Sequence, residues 1–290
     1  MFDYCTDPAT LEGLTWLSCY LTTQKHFSFY TSFGTVMMLI TLTAPLALAF
    51  GFAGMLAANH RFLPLKLFGS GYIAMVRGVP DIVFFLFVPI AMDQGLEYLR
   101  YLVICPEGSG PVWQGNDFVI CSDAKLPLSS ASPAIHNAYG FMLALVAFAI
   151  VFGAFAGNVL AGAMKAVSKG QIETGYAFGM SSGMVFRRIT LPQMWVYALP
   201  GLSNLWMILI KATPLLFLLG IQDIVYWARE LGGLKTSAYS YPHPDWRVWY
   251  FSFLLVFYLL LTVVSEQVFG WLMRRLSRGQ GTLGGKELGA

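Results

Sequence analysis

Residue types that ordinarily do chemistry are thinly spread in this chain, and their spacing limits what they can be. Its four histidines, His26, His60, His136 and His243, are scattered and fall at no ligand or triad spacing. No Gly-x4-Gly-Lys-Ser/Thr run is present to cradle a nucleotide. If ATP drives this protein, another chain must bind it. No metal site is expected, and nothing in the pattern points to nucleic acid. Lys211 is the one charge deep in the apolar run 197–222. Burying it in lipid costs roughly 2.5–3.5 kcal/mol, so it is expected to face a bundle interior or a cavity. Its role is then that of a pathway or gating residue, or of a structural cation.

The densest polar feature is the island KGQIETGYAFGMSSGMVFRRITLP, residues 169–192, between two apolar stretches. Residues 171–178 suit a short helix, and Gly179 offers a left-handed stop. Ser181 or Ser182 can cap a second helix running to Thr190. Pro192 then begins the next element. A structured, basic helix–turn–helix on the aqueous side of a membrane implies docking to a soluble partner.

The elements that must position these residues follow from composition. Of 290 residues, 57% are hydrophobic and 11% charged, against about 25% charged in soluble domains. Mean hydropathy is +0.62. These values describe an all-α integral membrane protein in contact with a lipid bilayer. A span needs ~20 apolar residues, and five stretches qualify. They are 33–58, about 81–98 (the weakest, with Asp93 and Glu97 near its far end), 135–164, 197–222 and 250–272. Residues 1–31 form an N-terminal segment in which Leu11, Leu14, Trp16, Leu17, Tyr20 and Leu21 suit a short interfacial helix or an irregular lead-in. The acidic Asp3, Asp7 and Glu12 argue against a cleaved signal peptide. Residues 59–80 read as a basic loop in which Arg77 sits at the headgroups, 100–134 as a long Pro/Gly-rich loop, and 221–249 as a polar loop. The Gly-rich segment 275–290 reads as a flexible tail.

Charge orients the bundle. The loops holding Arg61, Lys165–Arg188 and Arg274–Lys286 carry 11 of the 18 Lys and Arg. The positive-inside rule therefore puts the 169–192 island and the C-terminus in the cytoplasm, and the N-terminus outside. All four cysteines, Cys5, Cys19, Cys105 and Cys121, then lie outside, where disulfides form. Four cysteines allow three pairings. Cys105–Cys121 would close the long loop and Cys5–Cys19 the N-terminal segment; the alternative is unpaired thiols.

The island also resembles a known motif. Glu173-Thr174-Gly175, three residues, Gly179, nine residues, Ile189, one residue, Leu191-Pro192 keeps the spacing of the EAA loop of ABC importer permeases. Thr174 and Gly175 replace the usual two alanines. With KGQ and FRRITLP flanking it, YIAMVRGVP at 72–80 and IKATPLLFLLGIQDI at 210–224, the chain resembles permeases for polar amino acids of the histidine, lysine, arginine, octopine and glutamine group. That resemblance implies a type I ABC importer permease fold over residues 32–274 in the bacterial inner membrane. It implies a second permease subunit, homologous or identical, an ATP-binding cassette subunit carrying ATP and magnesium, and a periplasmic substrate-binding protein. Glu173, Thr174, Gly175, Gly179, Arg187 and Arg188 would then couple to the ATPase by alternating access, and the chain would not itself be an enzyme. An ion-driven secondary transporter is the rival reading; it needs paired ionisable groups at mid-bilayer and an internal repeat, which are not evident. Asn158, where the family usually has Glu, is a candidate substrate contact or helix-interface hydrogen bond. Lys211 and Thr213 match a Lys-x-Thr pattern of the family.

Overall fold

A computed structural model describes residues 5, 10–75, 79–105, 110–128, 130–219 and 221–277. Arg77 and residues 278–290 of the tail expected at 275–290 lie outside these residues. Ten α-helices are described in chain order: α1 (Gly13–Leu21), α2 (Gln24–Ala58), α3 (Leu63–Ala74), α4 (Asp81–Ile104), α5 (Pro133–Ala166), α6 (Lys169–Ala177), α7 (Ser182–Val185), α8 (Leu191–Ala212), α9 (Ile224–Gly232) and α10 (Arg247–Leu276). Five helical stretches, Gln24–Ala58, Ile82–Ile104, Pro133–Ala166, Ser182–Leu216 and Arg247–Leu276, are long and apolar enough to cross a membrane. Helices dominate because a bilayer offers backbone groups no water, and a helix satisfies them within one segment.

Several expected boundaries move. The first span begins at Gln24 and not at residue 33, so α2 cuts into the expected 1–31 segment. Its 35 residues extend ~52 Å, against a hydrocarbon layer of ~30 Å. The surplus turns at its start are polar, and Lys25 there donates to Glu230 at 2.8 Å. The expected 59–80 loop contains α3, started by Pro64 in its first turn. Lacking a Cβ, Gly69 of α3 lies against the Ala57–Ala58 backbone, where a methyl would come within 2.4 Å of Ala58 N. The second span continues to Ile104, the polar 221–249 loop contains α9, and α10 runs to Leu276. The long loop holds a small antiparallel hairpin, β1 (Trp113–Gln114) and β2 (Asp117–Phe118), turned at Gly115 with φ +67°.

The chain divides into two compact units. The first comprises Met1–Leu46, Gly78–Val151 and Ala212–Val256. Within it, disulfides join Cys5 to Cys19 and Cys105 to Cys121. Closing loops of this length contributes ~3 kcal/mol on a chain-entropy argument. The first disulfide packs with Tyr20 and Tyr241, with Trp16 and Trp246 against them. The long loop is tied to α4, where Glu97 Oε1 accepts from Leu126 N at 3.0 Å and Arg100 donates to Asp123 O at 2.7 Å. Asp93 accepts from Tyr139 of α5 at 2.6 Å, so the acids that weakened the second span anchor it. Phe85 and Phe148 stack at 4.7 Å between the same two helices.

Asp223 caps α9, its Oδ1 accepting from Tyr226 N at 2.8 Å, while Oδ2 is buried with no partner among the described residues. Burial pushes its carboxyl up to about 6, against the opposing backbone N–H groups. Because the folded value lies above the unfolded one, the folded state binds the extra proton. Stability therefore rises as pH falls from about 6 into the ordinary carboxylate range, and the burial cost is complete above about 6. Asp223→Asn keeps the cap and removes this charge. Its Tm is expected to vary less between pH 4.5 and 7.5 than that of the wild type; an unchanged dependence would refute the assignment.

The second unit comprises Ala47–Arg77, Phe152–Lys211 and Phe257–Ala290. Lipid offers no hydrophobic drive for helix association, so close packing of small residues must supply it. Gly51 of α2 lies on α5, and an added Cβ would stand 2.7 Å from Gly157 N and 2.8 Å from Gly153 O. Gly201 similarly lies on Val159, where an added Cβ would stand 2.7 Å from Val159 Cγ1. Trp206 of α8 donates to Ser265 of α10 at 2.9 Å. The Gly51 contact is backbone on backbone and has no flexible side chain to yield. Gly51→Leu is therefore expected to cost upward of ~3 kcal/mol and to lower yield and Tm sharply. A mutant with wild-type Tm would show that the two helices can part without loss.

Candidate functional site

The polar island is built as a stapled reversal of the chain. Helix α6 ends at Ala177, and Gly179 takes φ +77°. Gly179 N donates to Tyr176 O at 2.9 Å and Met180 N to Gly175 O at 3.1 Å. This is the paired 5→2 and 6→1 bonding of a Schellman stop, which absorbs the carbonyls left over at the end of α6. No atom would touch a Cβ at Gly179, so glycine is needed there for its left-handed φ and not for space. Ser181 caps the returning helix, its Oγ accepting from Met184 N at 3.4 Å.

The second arm differs from expectation in one respect. It does not stop at Thr190 for a new element to begin at Pro192. Helix α7 passes through a π-helical turn, Phe186–Thr190, directly into α8. Pro192 follows the π-helical turn inside this continuous helix and gives it no N–H donor there. The second arm of the reversal and the fourth span are one continuous rod.

Gly175 is buried, and its Cβ would come within 2.6 Å of Ile189 Cδ1 and 3.1 Å of Val185 Cγ2. The departure from Glu-Ala-Ala thus permits close approach of the two arms. Thr174 is exposed, and its hydroxyl donates back to Gly170 O at 2.7 Å. Beneath the reversal, Ile172 and Leu191 pack on a cluster of Met55, Leu160, Ala163, Val167, Met194 and Ala198. This roots both arms in α2, α5 and α8.

What the reversal presents outward is mixed. Glu173, Arg187 and Arg188 are exposed and belong to none of the ion pairs found among the described residues. Phe178 is 79% exposed, Tyr176 49% and Met184 40%. Those three were missed when the island was read for charge alone; an aromatic pair flanking the turn in a polar stretch was the available signal. Large apolar side chains beside unpaired charges form a surface suited to a partner.

The other candidates are dispersed. Asn158 is half-buried on α5, between Gly157 and Val159, whose contacts with α2 and α8 are given above. Lys211, at the end of α8, is exposed on this chain and not packed inside its own unit, contrary to expectation. Thr213 is fully buried at the start of the 3-10 segment Thr213–Leu219.

These features define a multi-pass helical membrane protein with a rigid reversal standing off its bundle. The family described as binding-protein-dependent transport system inner membrane component matches residues 51–278, and the chain belongs to it. It is 32% identical over 230 residues to the Escherichia coli K12 histidine/lysine/arginine/ornithine transport system permease protein HisQ, covering 78% of this chain and 84% of that one. It is 32% identical over 234 residues to the octopine transport system permease protein OccQ of Rhizobium radiobacter, covering 81% and 84%. The Escherichia coli K12 arginine ABC transporter permease protein ArtQ is 30% identical over 227 residues, covering 78% and 84%. A solved structure described as an amino acid ABC transporter with histidines shares the fold at TM-score 0.61 and 19% identity, covering 92% of this chain and 99% of that one. This chain is thus a permease subunit and not itself an enzyme.

If Gly175 is required for the approach of Ile189, alanine there sets a helix-propensity gain of up to ~1 kcal/mol against a clash. Gly175→Ala alone is expected to leave amide exchange across 174–178 unchanged or faster. Adding Ile189→Val, which deletes the clashing methyl, should slow it. Strictly additive effects of the two changes would remove the proposed contact.

Proposed function

We propose that this chain is the permease subunit of an ATP-driven importer of polar amino acids and forms its translocation pathway by alternating access. The observation that carries the reading is the reversal at 169–192, capped at both sides of Gly179 and continuous with a span. A force applied there acts on α8 directly and on α5 through the cluster beneath. The substrate class follows from relatives that are permeases for histidine, lysine, arginine, ornithine and octopine.

In this reading the reversal and the C-terminus face the cytoplasm of a bacterium and the N-terminus the periplasm. The reversal docks on a separate ATP-binding cassette subunit that holds ATP and magnesium; this chain binds no cofactor. Tyr176 and Phe178 enter an apolar cleft of that subunit, while Glu173, Arg187 and Arg188 make the polar contacts at its rim. A second permease subunit, homologous or identical, completes the pathway, and a periplasmic binding protein delivers the substrate. Asn158, Lys211 and Thr213 are the pathway candidates; Lys211, exposed on this chain, points to the second permease. An ion-driven mechanism gains no support, because coupling through a docked reversal does not need one.

Gly179→Leu strains the turn by roughly 1–2 kcal/mol without disturbing the spans. The variant complex is expected to assemble, and its substrate-stimulated ATP hydrolysis and uptake to fall at least tenfold. Wild-type stimulated hydrolysis in an assembled variant would sink the coupling role.

A further inference from the structure

Helix α3 packs on the second unit by its second half only. Gly69 seats on the Ala57–Ala58 backbone at the end of α2, and Tyr72 and Ile73 then meet Gly54, one turn back along α2. The two helices therefore run antiparallel, and Leu63 stands ~9 Å before the Gly69 seat, beyond the last turn of α2. This end lies on the side of the reversal, because Met55 in the last turn of α2 belongs to the cluster beneath it. In the turn between the helices, Phe62 N donates to His60 Nδ1 at 3.0 Å, which fixes where α3 starts.

Every residue from Arg61 to Phe68 is exposed. Phe62, Leu63, Leu65, Leu67 and Phe68 are large and apolar, and Phe68 is 74% exposed. They share no single face: at ~100° per residue Leu65 points away from Leu63, with Phe68 between them. A groove in a partner protein takes one stripe of a helix. A helix running alongside a span instead crosses the headgroup layer end-on, and lipid covers each face that protein does not. Arg61 and Lys66 stand among these side chains and belong to none of the ion pairs among the described residues. No Asp or Glu occurs between Glu12 and Asp81 to oppose them. Long basic side chains at such a boundary bury their methylenes and carry their charge to the phosphates. Anionic phospholipid is the complementary surface. The end of α10 shows the same chemistry on the same side. Helix α9 is too short to cross a bilayer, so α10 returns to the side of the reversal. There Trp271 is exposed and the Arg275 guanidinium lies 5.2 Å from its ring centre, a pairing suited to the membrane–water boundary.

We propose that the first half of α3 is a lipid anchor. Its apolar side chains lie at the acyl boundary of the leaflet on the side of the reversal, and Arg61 and Lys66 hold the phosphates of anionic phospholipid. The proposal needs no substrate and does not rest on the import reading above.

The test uses the full chain assembled with its partner subunits in lipid nanodiscs. Leu63→Cys and Phe68→Cys carry a nitroxide, one at a time; the four native cysteines are paired in disulfides and do not react. Collision with oxygen, which concentrates in lipid, is compared with collision with a neutral nickel chelate, which stays in water. Oxygen is expected to dominate at both positions. Replacing phosphatidylcholine discs by discs containing phosphatidylglycerol should raise the oxygen-to-nickel ratio at Phe68→Cys about twofold. Arg61→Gln with Lys66→Gln should abolish that rise. If the double variant fails to assemble, Lys66→Gln alone serves, with a smaller rise than in the parent expected. Dominant nickel collisions would put the helix end in water. Low collision rates with both reagents would show it covered by a partner subunit or a second copy of this chain. An equal effect of phosphatidylglycerol with and without the two basic residues would remove the headgroup contact. Each of these results would overturn the proposal.

Discussion

The contact of Gly51 with Gly153 and Gly157 is the constraint on which the second unit depends. In a bilayer, two apolar helices gain little from meeting unless their backbones come close enough for dispersion to accumulate. Three glycines allow that approach. It positions the last turns of α5, from which Leu160 and Ala163, with Val167 just beyond, reach Met55 of α2 and Met194 and Ala198 of α8. The reversal at 169–192 begins three residues beyond α5 and ends inside α8. Its placement is therefore inherited from helix packing in the membrane.

The reversal itself obeys different physics. It stands in water, so its stability comes from satisfied backbone groups and caps and not from lipid exclusion. The Schellman bonds, the Ser181 cap and the Gly175–Ile189 approach leave the two arms little independent freedom. Such a rigid lever transmits displacement instead of absorbing it. The exposed Phe178 and Tyr176 then read as the lever's contact points.

The first unit is secured outside its spans by covalent and polar means. Two disulfides fasten segments outside the spans. A hydrogen-bonded chain runs through the N-terminal helix: His26 Nε2 meets Tyr250 Oη at 2.7 Å, Tyr250 donates to Tyr20 Oη at 3.5 Å, and Tyr20 meets His243 Nε2 at 2.9 Å. Lys25 and Lys235 share Glu230, and the Lys25 hydrogen bond leads in holding that carboxyl below the usual range. Dense polar bonding suits a region where water can reach and lipid packing no longer holds elements together.

The sequence by itself determined the spans, the orientation expected from charge, the turn at Gly179 and the family. Each rests on local chemistry: an uninterrupted apolar run, a bias of Lys and Arg, a glycine at the one position needing positive φ, and motif spacing. Glu173, Gly179, Arg187 and Arg188, the residues expected to couple to a partner, were picked out by the same motif spacing and charge. Tertiary structure alone decided the rest. Helix α3 was read as loop because its lysine and glycines hide its pattern, and its seat depends on Gly69 meeting Ala58 at the end of the preceding helix. Lys211 was placed inside the bundle by an argument about depth, but which face of α8 turns inward is settled by Gly201 and Trp206 packing on neighbouring helices. Ser28 and Thr31 fell in the expected N-terminal segment, and only α2 puts them on one helix face with Ser32 and Thr35. The cavity they line exists only once α5 and the segment before α9 close around them, because no local rule in a sequence records which distant elements will share a cavity.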